Sequence, residues 1–240
     1  MLKLNVIENI KMNPFIIFAS LPDMGRVGGL TSSFLVDHLS AQHIASIYSN
    51  EKPWIGVIEG IVENIVEEYK IFASKEHGLI IFNGGSQPED PSELFGLCNM
   101  FIDFCQSIGS IRRLYTSGGS FNDQLTGQPK VFGVATDGAL AQILKDSDIP
   151  IISNEISSIT WFNGLILGIS KERSIPGVGL YGEISDKTNP QPLAAKSIIK
   201  TFTRLEKLDI STKPFDRQYE QALDNFEKKK ENRHYSPGVG

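Results

Sequence analysis

The chain contains Phe15-Ile16-Ile17-Phe18-Ala19-Ser20, a continuous apolar run bounded by Pro14 and Leu21-Pro22. A short run that is apolar at every position is typical of a strand buried on both faces of a sheet. The glycine-rich segment Gly25-Arg26-Val27-Gly28-Gly29 follows, and apolar residues then recur at helical spacing through residues 30–39. A buried strand, a glycine-rich turn and a helix in this order predict an α/β architecture.

The rest of the chain continues this alternation. Further strands are predicted at residues 44–48, 54–58, 69–73, 79–82, 111–115, 131–135, 149–152 and 180–184. Helices are predicted over 90–108, where Asp90-Pro91 suits a helix start, over 137–144, and from Pro192 onward. The pattern predicts a single-domain α/β fold with a mostly parallel central sheet flanked by helices, and the strand-rich segment 48–82 is where antiparallel strands are expected.

The sequence divides into three parts: an α/β domain over residues 1–212, an amphipathic C-terminal helix over 213–233 and a flexible tail over 234–240. The C-terminal helix has an apolar face and a lysine cluster. Two alternatives stay open for this face, docking on the body of the domain or on another subunit, and the lysines suit either a solvated helix end or an acidic partner. The candidate partner-binding residues are Phe215, Tyr219, Leu223, Phe226, Lys228, Lys229, Lys230 and Tyr235.

Composition and charge narrow the class of protein. The formal net charge of −5 does not favour broad binding to nucleic-acid phosphates. No apolar run approaches the ~20 residues of a membrane span, and the amino terminus lacks the pattern of a signal peptide. The only cysteines, Cys98 and Cys105, lie about 10 Å apart along one predicted helix, too far for a mutual disulfide. We expect a soluble cytoplasmic protein with two core thiols, no metal, no cofactor, and no nucleic-acid or membrane partner.

Glycine-rich segments follow three predicted strands and mark a candidate ligand site. The carboxyl ends of parallel strands build ligand crevices, glycine lets backbone N–H groups approach a ligand, and a helix N-terminus favours an anion. The same glycines also suit tight turns and close packing without any ligand, and Asp23 equally suits a helix cap. The candidate ligand-binding residues are Asp23, Gly25, Arg26, Gly28, Gly29, Asn83, Gly84, Gly85, Gly118 and Gly119.

These loops lack the sequence motifs of known nucleotide-binding sites and of serine hydrolases. The glycine-rich turn at residues 25–29 lacks the complete G-x-G-x-x-G spacing, and neither G-x-x-x-x-G-K-[ST] nor G-x-S-x-G occurs in the chain. No catalytic residue is therefore assigned.

Several segments, taken in order, resemble the proteasome assembly chaperone family, in the branch of the second chaperone and its archaeal relatives. Two of them are Leu21-Pro22-Asp23-Met24-Gly25-Arg26-Val27-Gly28 and Ile175-Pro176-Gly177-Val178-Gly179-Leu180-Tyr181-Gly182-Glu183. The others are residues 58–61, 83–88, 117–119, 131–136, 163–167 and 190–196. Each motif is weak alone, but their order and spacing over about residues 15–225 make the resemblance fairly specific.

The resemblance implies a phosphorylase/hydrolase-like fold, a homo-oligomer, and binding to proteasome α subunits rather than catalysis. Some family members are labelled ATP-grasp enzymes, a label that the residues do not support independently. Members that dock on the α-ring can end in a hydrophobic-Tyr-any tripeptide. His234-Tyr235-Ser236 would match that signal only in a chain ending at Ser236, whereas this sequence ends in Gly238-Val239-Gly240.

Two functional hypotheses follow. The first is a non-catalytic, chaperone-like protein that presents its surface and its C-terminal helix to partner subunits. The second is a protein or enzyme that binds a nucleoside, a nucleotide or another small anion with its glycine-rich loops. Fold analogy alone does not decide between them.

Overall fold

The computed structural model describes residues 2–49, 55–64, 66–125, 127–152, 158–213 and 215–216. In chain order the elements are β1 (Leu2–Val6), β2 (Phe15–Ala19), a 3₁₀ turn (Met24–Arg26), α1 (Val27–His38), β3 (Gln42–Ser49), β4 (Gly56–Ile58), β5 (Ile61–Glu63), β6 (Glu67–Ser74), β7 (Leu79–Gly84), α2 (Pro91–Ile108), β8 (Ile111–Phe121), β9 (Val131–Ala135), α3 (Gly138–Asp146), α4 (Trp161–Glu172), β10 (Gly177–Ile184) and α5 (Pro192–Glu206). The predicted α/β fold is confirmed.

The central sheet has eight strands in the order β1-β3-β6-β7-β2-β8-β10-β9. Its middle is parallel, because β2 pairs in parallel with β7 and β8, and β8 pairs in parallel with β10. Its flanks are antiparallel, since β1, β3 and β6 follow on one side and β9 on the other. The sheet is therefore mixed, and the expectation of antiparallel strands in the segment 48–82 is confirmed.

Helices cover both faces of the sheet and define two cores. Buried side chains of α2 and α4 pack with one face of β2 and β7, and those of α1, α3 and α5 pack with the other face. The central strand β2 is buried at every position, as its apolar run predicts. The carboxyl ends of the four parallel strands thus lie at one edge of a sheet that is closed on both sides.

Helix α2 forms as its sequence predicts. The Asp90 carboxylate accepts a hydrogen bond of 2.8 Å from the Glu93 backbone N–H, and Pro91 occupies the first turn. Its predicted apolar face is buried, and both cysteines lie within the core, where burial raises the pKa of each thiol. The prediction of two buried core thiols is confirmed.

Some elements differ from the sequence-based predictions. Strand β1 and helix α4 were not expected, and the strand predicted at residues 149–152 is reduced to one bridge between Ile151 and Gly133. Helix α4 is buried over much of its circumference, so it lacks the polar stripe that reveals a helix in sequence. Strand β8 runs through the glycine-rich segment that was predicted as a loop, because it pairs with β10 as far as Phe121.

Of the predicted C-terminal helix and tail, the structure describes only residues 213, 215 and 216. Phe215, expected to bind a partner, is fully buried and its ring stacks on Phe34 with centroids 4.3 Å apart. Of the two alternatives for the C-terminal apolar face, Phe215 follows docking on the body of the domain: it anchors the chain to its own core, and Lys196 forms an ion pair with Asp216 beside it. The other candidate partner-binding residues, Tyr219 to Tyr235, lie outside the described residues.

No helix in the described part of the chain is long and apolar enough to cross a membrane.

Candidate functional site

A crevice opens where the chain leaves β2 and β8 in opposite directions. These two strands are parallel neighbours, but α1 carries the chain from β2 toward β3, whereas β8 leads to β9 and β10 on the other side. Such a switch point, at the carboxyl ends of parallel strands, is where open α/β sheets bind ligands.

Asp23 lies at the bottom of this crevice and joins its two sides. Its Oδ1 accepts a hydrogen bond of 2.8 Å from the Gly28 N–H at the start of α1, and its Oδ2 accepts one of 2.6 Å from the Gly119 N–H in β8. Burial raises the pKa of this carboxyl to about 6, against the smaller lowering effect of the backbone N–H groups. The side chain closes the gap where β8 runs beyond the end of β2.

Two glycines permit this close approach. A Cβ at Gly118 would lie 2.7 Å from the Asp23 Oδ2, and a Cβ at Gly28 would lie 2.4 Å from the Leu21 carbonyl oxygen. Both distances are shorter than a side-chain carbon tolerates, so any larger residue displaces the Asp23 loop or α1.

A buried hydroxyl network supports the loop from below. The Ser117 Oγ lies 2.9 Å from the Ser20 Oγ and 2.6 Å from the Thr31 Oγ1. The Thr31 hydroxyl also donates to the Gly28 carbonyl at 2.8 Å. All three side chains are fully buried, so these hydroxyls fix the relative positions of β2, β8 and α1.

Helix α4 holds the same loop from the other side. The Asn163 side chain accepts from the Leu21 N–H at 2.9 Å and donates to the Leu21 carbonyl at 3.0 Å. Gln87 donates to the Pro22 carbonyl at 2.7 Å and accepts from the Phe162 N–H at 2.8 Å. Two side-chain amides therefore satisfy backbone groups of two separate segments, the loop at residues 21–22 and the start of α4, and hold them together.

The crevice contains a cavity of about 530 Å³. Its lining includes Asp23, Gln87, Asn163 and Tyr181, together with the exposed rings of Phe121 and Trp161 at its rim. The Tyr181 hydroxyl donates to the Asn163 carbonyl at 3.0 Å. The volume lies within the range of small-molecule sites, which is roughly 300–1,000 Å³.

The structure brings only some of the predicted ligand-binding residues together. Asp23, Gly28, Gly118 and Gly119 meet around the carboxylate. Arg26 and Gly85 line a second cavity, of about 500 Å³, to which Asp23 and Trp161 also contribute.

The other four predicted residues have structural contacts. Gly25, at φ 64°, donates to the Lys187 carbonyl at 2.8 Å. Asn83 donates to the Ser33 hydroxyl at 3.1 Å. Gly84 and Gly29 allow close packing, the first against Tyr69 and the second against Pro22.

The backbone N–H groups of Gly28 and Gly119, which the glycine-rich loops could have offered to an anion, already donate to the Asp23 carboxylate. The side chains of Gln87, Trp161, Asn163 and Tyr181 were not among the sequence candidates. Gln87, Asn163 and Tyr181 nevertheless lie within segments 83–88, 163–167 and 175–183, which carry the family resemblance, and that resemblance is the sequence signal that marks them. Trp161 lies outside those segments.

Comparison with known proteins gives relatives over nearly the whole chain. The model of the PAC2 family matches residues 17–229. A protein of Methanocaldococcus jannaschii that is described as uncharacterized is 26% identical over 219 residues, which cover 89% of this chain and 83% of that protein.

Solved structures show the same fold. PbaB of Pyrococcus furiosus, described as an archaeal proteasome activator, superposes with a TM-score of 0.81 at 27% identity, over 95% of this chain and 98% of that one. PbaA of the same organism, described as an archaeal homologue of proteasome-assembly chaperone, has a TM-score of 0.79 at 17% identity, over 97% and 93% of the two chains. Because the family model covers residues 17–229 of the 240, the chain belongs to the PAC2 family.

Proposed function

We propose that this chain is a non-catalytic, proteasome-assembly-chaperone-like protein that self-associates and binds proteasome α subunits. The observation that carries the proposal is the likeness to PbaB, a proteasome activator, at 27% identity over 95% of this chain. Family membership supports the same role.

The β4–β5 hairpin supports self-association. Its two strands pair Val57 with Val62 and Ile58 with Ile61, and these side chains are 62–65% exposed. Cross-strand partners lie on one face of a hairpin, so each face presents one apolar pair. An isolated two-stranded hairpin is at best marginally stable in water, and contiguous exposed apolar surface marks interaction sites.

A second copy of the chain is the occupant we propose for this hairpin. Most soluble homo-oligomers are closed and symmetric, so a projecting apolar element is buried when it meets its counterpart or the body of a neighbouring copy. Both faces of the hairpin expose an apolar pair, and in an oligomer neighbouring copies can bury both. In this proposal the hairpin mediates self-association, and the C-terminal segment binds the proteasome α subunits.

The C-terminal segment beyond Asp216 is proposed as the partner-binding element. Phe215 holds the chain to the core beside Phe34, so the segment starts from a fixed point on the α1–α5 face. Its residues Lys228, Lys229 and Lys230 give it a local positive charge on a chain whose net charge is −5. Such a cluster suits an acidic surface on the partner.

Size-exclusion chromatography with proteasome α subunits of the same source tests this function. The full chain is expected to co-elute with the α subunits, and deletion of residues 217–240 is expected to weaken that co-elution while Phe215 keeps the core intact. Charge reversal of Lys228, Lys229 and Lys230 to Glu should weaken it in the same direction. Failure of the full chain to co-elute would contradict the proposed partner.

A matched control distinguishes the location of the substituted lysines from the change in net charge. Replacing three exposed lysines of the domain, Lys145, Lys171 and Lys213, by Glu changes the net charge by the same amount. We expect this control to keep its co-elution with α subunits. Equal loss in both triple variants would contradict a role for the C-terminal lysines.

A further inference from the structure

Asp23 gives the cavity a negative charge; Arg26 lines the adjoining cavity rather than this one, and the Lys187 ammonium lies over the Phe121 ring. Among the described residues that line it, only Asp23 is charged at neutral pH. Its two hydrogen bonds come from neutral backbone N–H groups, and no described cationic side chain forms an ion pair with it. A partly desolvated carboxylate next to an open cavity is best stabilised by a cation placed in that cavity.

Aromatic side chains complete the chemistry of the cavity. The Trp161 side chain is 50% exposed and that of Phe121 is 44% exposed, both at the rim. The Lys187 ammonium already lies 4.2 Å from the centroid of the Phe121 ring. Aromatic faces attract cations, and tryptophan does so most strongly.

Trp161 holds an unusual backbone conformation at this position. Its φ is 59°, in the left-handed region, although it is a large aromatic residue at the start of α4. That conformation costs free energy for any residue with a side chain, and such strain is concentrated at functional sites. Here it places the indole on the wall between the two cavities that meet at Asp23.

We propose that this cavity binds a small organic cation whose charged nitrogen pairs with Asp23 and whose planar or apolar body packs against Trp161. The amide and hydroxyl groups of Gln87, Asn163 and Tyr181 already form hydrogen bonds within the protein. Recognition of the ligand therefore depends on charge and aromatic contact and not on many polar contacts. The proposal is independent of self-association and of proteasome binding, and it reverses the charge expected from glycine-rich loops.

Three probes of nearly equal shape test the sign of the charge. Benzamidine is a planar cation, benzamide is its neutral analogue, and benzoate is the anion. In saturation-transfer NMR titrations of the full chain at millimolar probe concentration, benzamidine is expected to bind saturably. Benzamide should bind at least about tenfold more weakly, because a hydrogen bond to a charged group contributes that much to affinity. Preference for benzoate, equal binding of all three, or no binding of benzamidine would overturn the proposal.

Two variants and one control test the residues. Asp23→Asn is expected to reduce benzamidine affinity about tenfold or more. Asp137→Asn makes the same chemical change in a carboxylate that caps α3, where it accepts from the Leu140 N–H at 2.9 Å, and should leave the affinity unchanged. Trp161→Gly accepts the left-handed backbone and keeps the carboxylate, so it should fold and yet bind benzamidine more weakly. Unchanged affinity in Asp23→Asn or in Trp161→Gly would overturn the proposal, even where the protein is less stable.

Discussion

The Asp23 carboxylate accepts a hydrogen bond of 2.6 Å from the backbone N–H of Gly119, although the two residues are 96 positions apart. Strand β8 pairs with β2 only as far as Tyr115, and beyond that point its backbone has no neighbouring strand on this side. Asp23 therefore takes the place of a strand residue and links the loop after β2 to the continuing edge of β8. The other oxygen of the Asp23 carboxylate accepts from the Gly28 N–H and fills the anion position of the α1 N-terminus.

Glycine-to-alanine substitutions at two helical positions, Gly28 and Gly168, are predicted to change the free energy of unfolding in opposite directions. Gly28→Ala should lower the free energy of unfolding by about 2 to 4 kcal/mol, because its Cβ would lie 2.4 Å from the Leu21 carbonyl oxygen. Gly168→Ala in α4 meets nothing within 4 Å and should raise it by about 0.5 to 1 kcal/mol. Urea unfolding of both variants measures the difference. Similar effects of the two substitutions would show that space at Gly28 is not limiting.

Burial of Asp23 predicts a pH dependence of stability. The folded protein holds the carboxyl proton up to a pKa of about 6, above the ordinary value of 3.8. In the interval between those values the folded state binds more protons than the unfolded state, so stability falls as the pH rises through it. Tyr181, the titratable side chain of β10 at this site, has a pKa that burial raises far above that interval, so it stays neutral.

The Asp23→Asn variant isolates this effect. Between about pH 4 and pH 7 the wild type should lose about 2 to 3 kcal/mol of stability relative to the variant, since one pKa unit corresponds to about 1.4 kcal/mol. Urea titrations at a series of pH values measure the difference between the two proteins, in which contributions from other carboxylates cancel. A difference that does not change with pH, or that changes in the opposite direction, would refute a raised pKa at Asp23.

A second buried carboxylate lies at the opposite end of the sheet. The Glu206 side chain is 1% exposed and accepts from the Arg113 guanidinium at 2.9 Å and from the Tyr115 hydroxyl at 2.5 Å. Glu206→Gln should lower the free energy of unfolding by about 3 kcal/mol, because it leaves a partly buried guanidinium without its counter-charge. Arg112→Gln removes the other, half-exposed partner of Glu206 and should cost about 1 kcal/mol or less. Equal losses in the two variants, measured by urea unfolding, would speak against a buried ion pair.

The sequence predicts those parts of the fold that local signals determine. Strand β2 is recognisable because it is apolar at every position, and α2 because Asp90 caps it and its apolar residues lie on one face. The three glycine-rich segments also mark the correct edge of the sheet. Strand β8 differs from its prediction. Glycine usually weakens a strand, but the pairing of β8 with β10 continues through Gly118 and Gly119.

The remainder of the site depends on contacts that no local pattern contains. Asn163 binds Leu21 across 142 positions, and Gln87 reaches Phe162 across 75. Trp161 has the left-handed backbone of a residue that is usually glycine or asparagine, so its position in the crevice contradicts local preference. The charge of the site likewise depends on tertiary structure, because only the folded chain places Asp23 against the Gly28 and Gly119 N–H groups.

Light scattering on the purified full chain tests most directly whether the protein assembles through the β4–β5 hairpin. We predict that the wild type has a molar mass that is a multiple of one chain. The double variant Val57→Lys/Val62→Glu should have a lower mass, because it replaces a cross-strand apolar pair by an ion pair that preserves the hairpin. Ile143→Lys, which removes a single exposed apolar side chain from α3, should keep the wild-type mass. A monomeric wild type, or a double variant with the mass of the wild type, would contradict assembly through the hairpin.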